Sequence, residues 1–210
     1  MKKLNQILNS LLAVVALFLM CGVCSAGKFR TVIIDPGHGG KDAGGTYGKV
    51  YEKHLALDTS LRVNHLLEKK GYSTRMTRSS DVFISLSGRS AFANKYRDAI
   101  FVSIHYNYTY KKHIKGLETF YYSSRSKPLA SYIQAGMLKR YRTSSRGVKF
   151  ARYYVLRHTK HPSALVECGF VSNYTDRTRC KQAWYRQKMA EGIVDGIVKY
   201  QTARGKGWLK

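Results

Sequence analysis

The sequence predicts an α/β fold: one domain whose sheet is covered by helices on both faces. Three observations predict it. Strand-like and helix-like runs alternate along the chain. Several strand-like runs, such as "VII" at 32–34 and "AIFVSI" at 99–104, are almost unbroken apolar stretches, which suits strands buried on both faces. The 210 residues contain no repeat, low-complexity segment or proline-rich linker, and suffice for one domain with a real core.

Taken in order, residues 29–34 form an apolar strand. Residues 54–70 read as a helix, because Leu55, Ala56, Thr59, Val63, Leu66 and Leu67 share one stripe and Gly71 stops it. A short strand follows at 72–76, then a helix at 86–96 with Ser85 as its N-cap. Strands are expected at 99–104 and 117–122, then a helix at 128–141 with proline in its first turn. Strands at 153–156 and 164–166 precede a closing helix at 184–200. In such sheets the functional site lies on loops where strands end.

The N-terminus reads differently. Lys2 and Lys3 precede an apolar run from 11 to 23, too short to span a bilayer, and Cys24-Ser25-Ala26 supplies small residues for cleavage. Residues 1–26 are therefore read as a secretory signal peptide, with 28–201 as one domain and 202–210 as a loose basic tail. The expected product is exported, periplasmic or extracellular, monomeric, and without a stable membrane anchor after cleavage. Cleavage lowers the net charge from +25 to +23 and leaves two of four cysteines, Cys168 and Cys180. Their spacing permits a disulfide without establishing one. So basic a chain first suggests nucleic acid, but export redirects that reading to anionic envelope polymers, with no nucleic-acid partner.

The chemistry is concentrated at strand ends. "VIIDPGHGGKDAGG", residues 32–45, carries His38 on a glycine loop beyond a buried strand. It is not a phosphate loop, because Asp42 follows Gly40-Lys41, and it lacks the third glycine of a dinucleotide fingerprint. An imidazole on a sharply turning backbone remains, and imidazole is the commonest protein ligand of zinc. "FVSIHYN", 101–107, delivers His105 in the same way, and Glu52 begins the first long helix. Two His and one Glu form a known catalytic zinc set. Glu167, in "ALVECGF", ends another buried strand and is a candidate general base, whereas Cys168 points to the opposite face. The residues alone leave two readings open: a metal site, or polar side chains that satisfy one another.

With these motifs assembled, "DPGHGGKDAG", Glu52-Lys53, "SIHYN" and "VECGFVSN" resemble the secreted zinc-dependent N-acetylmuramoyl-L-alanine amidases. The resemblance runs from about residue 31 to 200. It implies a twisted, mixed, mostly parallel sheet and a peptidoglycan substrate, cut between muramic acid and L-alanine. It implies Zn2+ held by His38, Glu52 and His105, with Glu167 as the acid/base. Asp35 is expected to orient His38, and Asn107 to bind substrate or brace the His105 strand. Tyr106 stands where the family usually has a small residue, and with Tyr108 and Tyr110 it suggests a stacking platform. The short stretch between His105 and Tyr153 implies an open site with no plugging helix. Ser124-x-x-Lys127 matches a penicillin-binding signature of low specificity. The competing readings are a silent peptidoglycan-binding protein and a zinc peptidase that trims the stem peptide.

Overall fold

The computed structural model describes residues 29–207; the expected signal peptide and the end of the expected tail lie outside them. Strand β1 (Thr31–Pro36) is followed by a two-residue-per-strand hairpin, β2 (Thr46–Tyr47) and β3 (Val50–Tyr51). Helix α1 (Glu52–Lys69), strand β4 (Ser73–Met76), helix α2 (Leu86–Asn94) and strand β5 (Ala99–Asn107) come next. Strand β6 (Leu117–Tyr121) leads through a single 3-10 turn into helix α3 (Lys127–Arg140), then strand β7 (Ser145–Phe150) and helix α4 (Tyr154–His158). Strand β8 (Ser163–Phe170) and helices α5 (Tyr174–Cys180) and α6 (Ala183–Gly205) complete the chain.

The main sheet has six strands in the order β4-β1-β5-β8-β6-β7. All neighbours are parallel except β6 and β8, so β6 and β7 run against the other four. The continuous apolar strands divide their side chains between two cores. Val32, Ile34, Val102 and Ile104 face one way, with the buried faces of α1, α3 and α6. Ile33, Phe101 and Leu165 face the other way, with Ala93 of α2 and Val155 and Leu156 of α4. This is the two-sided burial that the unbroken runs imply. Ser85 caps α2 by accepting the Gly88 N–H at 3.1 Å, and Gly71, at φ 80°, ends the α1 segment.

The structure corrects several expectations. Residues 153–156 are not a strand; they enter α4, where the Leu156 and Arg157 N–H groups both donate to the Tyr153 carbonyl. Tyr-Tyr-Val has strand propensity, but a single helical turn is too short to print a period, and burial of adjacent Val155 and Leu156 beneath the sheet decides the conformation. The closing helix runs to Gly205, through part of the segment read as a loose tail. Cys168 and Cys180 are free buried thiols. Tyr106 is no platform: it is fully buried, its hydroxyl 2.7 Å from that of Thr59. Among the described residues, no helix is long and apolar enough to cross a membrane.

Candidate metal centre

His38, Glu52 and His105 meet at the carboxyl ends of β1 and β5. The backbone beyond β1 must fold back sharply to achieve this, and His38 itself adopts φ 59°. That left-handed conformation is costly for a side-chain-bearing residue, of the order of 1–3 kcal/mol. Two buried arginines hold the loop. Arg89 donates to the carbonyls of Pro36 and His38, and Arg78 donates to those of Pro36, Gly37 and Lys53. Glycine is needed at 37 because a Cβ there would lie 2.3 Å from the His105 ring. Glu52 is the first residue of α1, placed there by the β2–β3 hairpin.

The two imidazole rings stand edge to face, 4.9 Å apart, with Glu52 between them. Glu52 Oε1 lies 3.1 Å from His38 Nε2 and 2.8 Å from His105 Nδ1. One ligand-type atom from each residue falls within 4.8 Å of the others, which is a group able to hold a metal ion. Backbone N–H groups fix the carboxylate: Tyr106 donates to Oε1 at 3.0 Å and Gly45 to Oε2 at 2.7 Å. Burial alone would push the Glu52 carboxyl up. The hydrogen bonds and charges of His105 and His38 reverse this and hold it well below the usual range. Burial likewise favours a lower value for His38, but Glu52 and Asp42 raise it.

The remote nitrogen of each ring has its own partner. His38 Nδ1 is 2.8 Å from Asp42 Oδ2, so Asp42, not Asp35, orients His38. Asp35 points the other way along the strand tip. It accepts from Thr77, Arg89 and Ser103, and the Ser103 hydroxyl lies 3.1 Å from His105 Nε2. Asp35 thus supports His105 through a serine. Asp42, Arg78, Arg89 and Ser103 were not singled out from sequence. Asp42 could have been, as an acid four residues beyond His38 on a loop that doubles back.

Glu167 sits on β8 directly opposite His105 of β5 and Glu118 of β6. It is buried, and its Oε2 atom has no hydrogen-bond partner among the described residues. Burial, with the negative charges of Glu52 and Glu118, pushes its carboxyl well above the ordinary value. Asn107 donates its amide to Glu118 Oε1 at 2.7 Å. His38, Glu52, His105, Asn107 and Glu167 all line one cleft of about 390 Å³, walled by Phe83, Ile84 and Leu86 on one side and by Tyr153, Tyr154 and Val155 on another. Tyr108 lies at its edge, whereas Tyr110 is almost fully exposed and lines no part of it. Ser124 and Lys127 lie outside it.

This fold and site define a single α/β domain, with a mostly parallel mixed sheet and a His-Glu-His cluster at the carboxyl ends of β1 and β5. Comparison with known proteins then narrows the class. The sequence pattern described as N-acetylmuramoyl-L-alanine amidase (Amidase_3) matches residues 32–199, and the chain belongs to that family. It is 40% identical over 175 residues to the N-acetylmuramoyl-L-alanine amidase LytC of Bacillus subtilis, covering 81% of this chain and 35% of LytC. It is 35% identical over 177 residues to the probable cell wall amidase LytH of Staphylococcus aureus, covering 83% and 59%. The chain therefore spans between about a third and three-fifths of the length of these relatives. The crystal structure of an N-acetylmuramoyl-L-alanine amidase from Clostridium difficile 630 superposes with a TM-score of 0.80 at 34% identity, covering 84% of this chain and 99% of that one. The amidase AmiC2 of Nostoc punctiforme gives 0.79 at 38% identity, covering 82% and 97%.

Proposed function

We propose that this chain hydrolyses the amide between N-acetylmuramic acid and L-alanine in peptidoglycan, with zinc held by His38, Glu52 and His105. The observation that carries the reading is the convergence of three ligand atoms beside an unpartnered buried carboxylate oxygen in one open cleft. Two imidazole nitrogens and one carboxylate oxygen suit zinc and leave a position for substrate. Bound zinc would supply Lewis-acid activation of the attacking water and the scissile carbonyl.

The side chains supply the rest. Glu167 accepts a proton from the attacking water as the C–O bond forms, and returns one to the alanine nitrogen as the C–N bond breaks. The products are a lactyl carboxylate and a free amine. A carboxyl with raised proton affinity suits both transfers better than an ordinary glutamate does. Asp42 and the Ser103–Asp35 pair fix the ring orientations of His38 and His105. No described helix lies across the cleft, since α3 packs against α6 on the far face of the sheet, so the site works without a displaced plug.

Purified chain acting on purified peptidoglycan, with fragments read by mass, tests this. Release of intact stem peptides bearing a free L-alanine amine, and bare glycan strands, is expected. Shortened peptides still attached to glycan would instead indicate the peptidase reading. Glu167→Ala is expected to retain zinc stoichiometrically while turnover falls about 10²–10⁴-fold. Such a substrate lies outside the cytoplasm, which agrees with residues 1–26 acting as an export signal; the mature chain should begin at Gly27. We further assign the basic surface to contact with anionic wall polymers.

A further inference from the structure

One buried acid enters the chemistry above only through its negative charge beside Glu167. Glu118 lies on β6, in register with Glu167 on β8, and is 3% exposed. Both of its oxygens are engaged. Oε2 accepts from Arg146 Nε and Lys149 Nζ of β7, and Oε1 accepts from Asn107 Nδ2. An ionised carboxylate can only accept, so the Asn107 amide is fixed with its NH2 towards Glu118. Its carbonyl oxygen is then left as the group Asn107 offers to the cleft that it lines. The β5–β8 register shifts between His105 and Asn107. Such irregularities commonly re-aim a side chain beside a site.

We propose that Glu118 is a positioning residue: it locks Asn107 so that its carboxamide oxygen accepts a secondary-amide N–H of the substrate next to the scissile bond. This rests on the amidase reading and deepens it. The donor is either a stem-peptide N–H or the acetamido N–H of the sugar, and both present the same chemistry.

The test is steady-state kinetics on a soluble N-acetylmuramoyl peptide, with thermal stability and zinc content measured for each variant. Glu118→Gln frees the amide to flip and raises KM about tenfold, with kcat, read at each variant's own pH optimum because a charge beside Glu167 is lost, within about twofold, the pattern of lost binding rather than lost chemistry. Asn107→Asp sets two carboxylates face to face and lowers kcat/KM by more than about 50-fold. The double variant E118Q/N107D restores a donor–acceptor pair in the reverse sense, with an oxygen still facing the cleft, and recovers kcat/KM to within about fivefold of wild type. Mere anchoring of β7 would not produce that rescue. If Glu118→Gln unfolds, Asn107→Ala leaves the Glu118–Arg146–Lys149 cluster intact and must itself raise KM. An analogue with hydrogen in place of the sugar's C2 acetamido group separates the two donors: the Glu118→Gln penalty disappears on it if the sugar supplies the N–H, and persists if the peptide does. A folded, zinc-loaded Glu118→Gln with wild-type KM, or a double variant no better than Asn107→Asp, overturns the proposal. An inactive wild type would instead overturn the amidase reading itself.

Discussion

His38 shows at the scale of one residue why the site needs so much support. Its backbone is held in a left-handed turn, and its ring must present Nε2 to Glu52. Arg78 and Arg89 hold the turn, while Asp42 Oδ2 accepts from Nδ1 and so leaves Nε2 as the nitrogen with a free lone pair. Partners of this kind commonly contribute 10–100-fold in metal affinity. Asp42→Ala is therefore expected to weaken zinc binding by about that factor while the folded chain survives, because Asp42 is only partly buried and its other contact is the Gly44 N–H. Titration of metal-free enzyme with zinc under a competing chelator measures it. Equal affinities for variant and wild type would leave the Asp42–His38 contact without a role.

At the scale of elements, α3 and α6 touch through glycine. A Cβ on Gly136 would lie 2.1 Å from the Gly192 carbonyl, and one on Gly192 would lie 2.5 Å from the Met137 Cα. Glycine inside a helix costs about 1 kcal/mol, which this close backbone approach offsets. Gly192→Ala gains intrinsic helix propensity yet is expected to lose stability, by about 1–3 kcal/mol of overpacking, seen as a lower Tm. The same kind of reasoning separates what sequence disclosed from what it hid. β1, β5 and α1 were legible because unbroken apolar runs and one clean stripe carry them, and the strand-end histidines with Glu52 followed from their placement. β7, "SRGVKF", was not: it is an edge strand with no fully buried residue, so it has no apolar signature. α4 was misread because one helical turn carries no period. Asp35 was assigned to the nearer histidine by proximity in sequence, but its side chain points across the sheet to Ser103, and only the strand register reveals that.

Across the whole molecule the charge is unevenly used. Among the 12 acidic residues, Asp35, Glu52, Glu118, Glu167 and Asp176 are buried, and Asp58, Asp81, Glu191 and Asp195 are in ion pairs. Asp58 ties α1 to α6 by accepting from Arg62 at 2.8 Å and Arg186 at 2.6 Å. Burial raises its carboxyl, but the two arginines outweigh that and hold it below its ordinary 3.8. A depressed folded-state value stabilises above the unfolded-state value, and that contribution is lost as pH falls through the folded one. The Tm gap between wild type and Asp58→Asn should therefore be full above the ordinary carboxylate range and close as pH falls below Asp58's ordinary 3.8. A gap independent of pH would remove the ion pair as its cause. Few acids remain to neutralise the 37 Lys and Arg. Between residues 99 and 166 the sole acid is buried Glu118, whereas Lys111, Lys112, Lys115, Arg142, Arg152 and Arg157 are exposed. Charges that face water act over a Debye length of about 10 Å at 0.1 M salt and about 3 Å at 1 M. Retention on walls bearing anionic polymer should thus fall steeply across that range, while turnover of a small soluble muramoyl peptide, which enters the cleft alone, should fall far less. Stripping the polymer from the wall should abolish the salt-sensitive part. Retention that is unchanged by salt, or by stripping, would mean that the basic surface has no wall polymer as its partner.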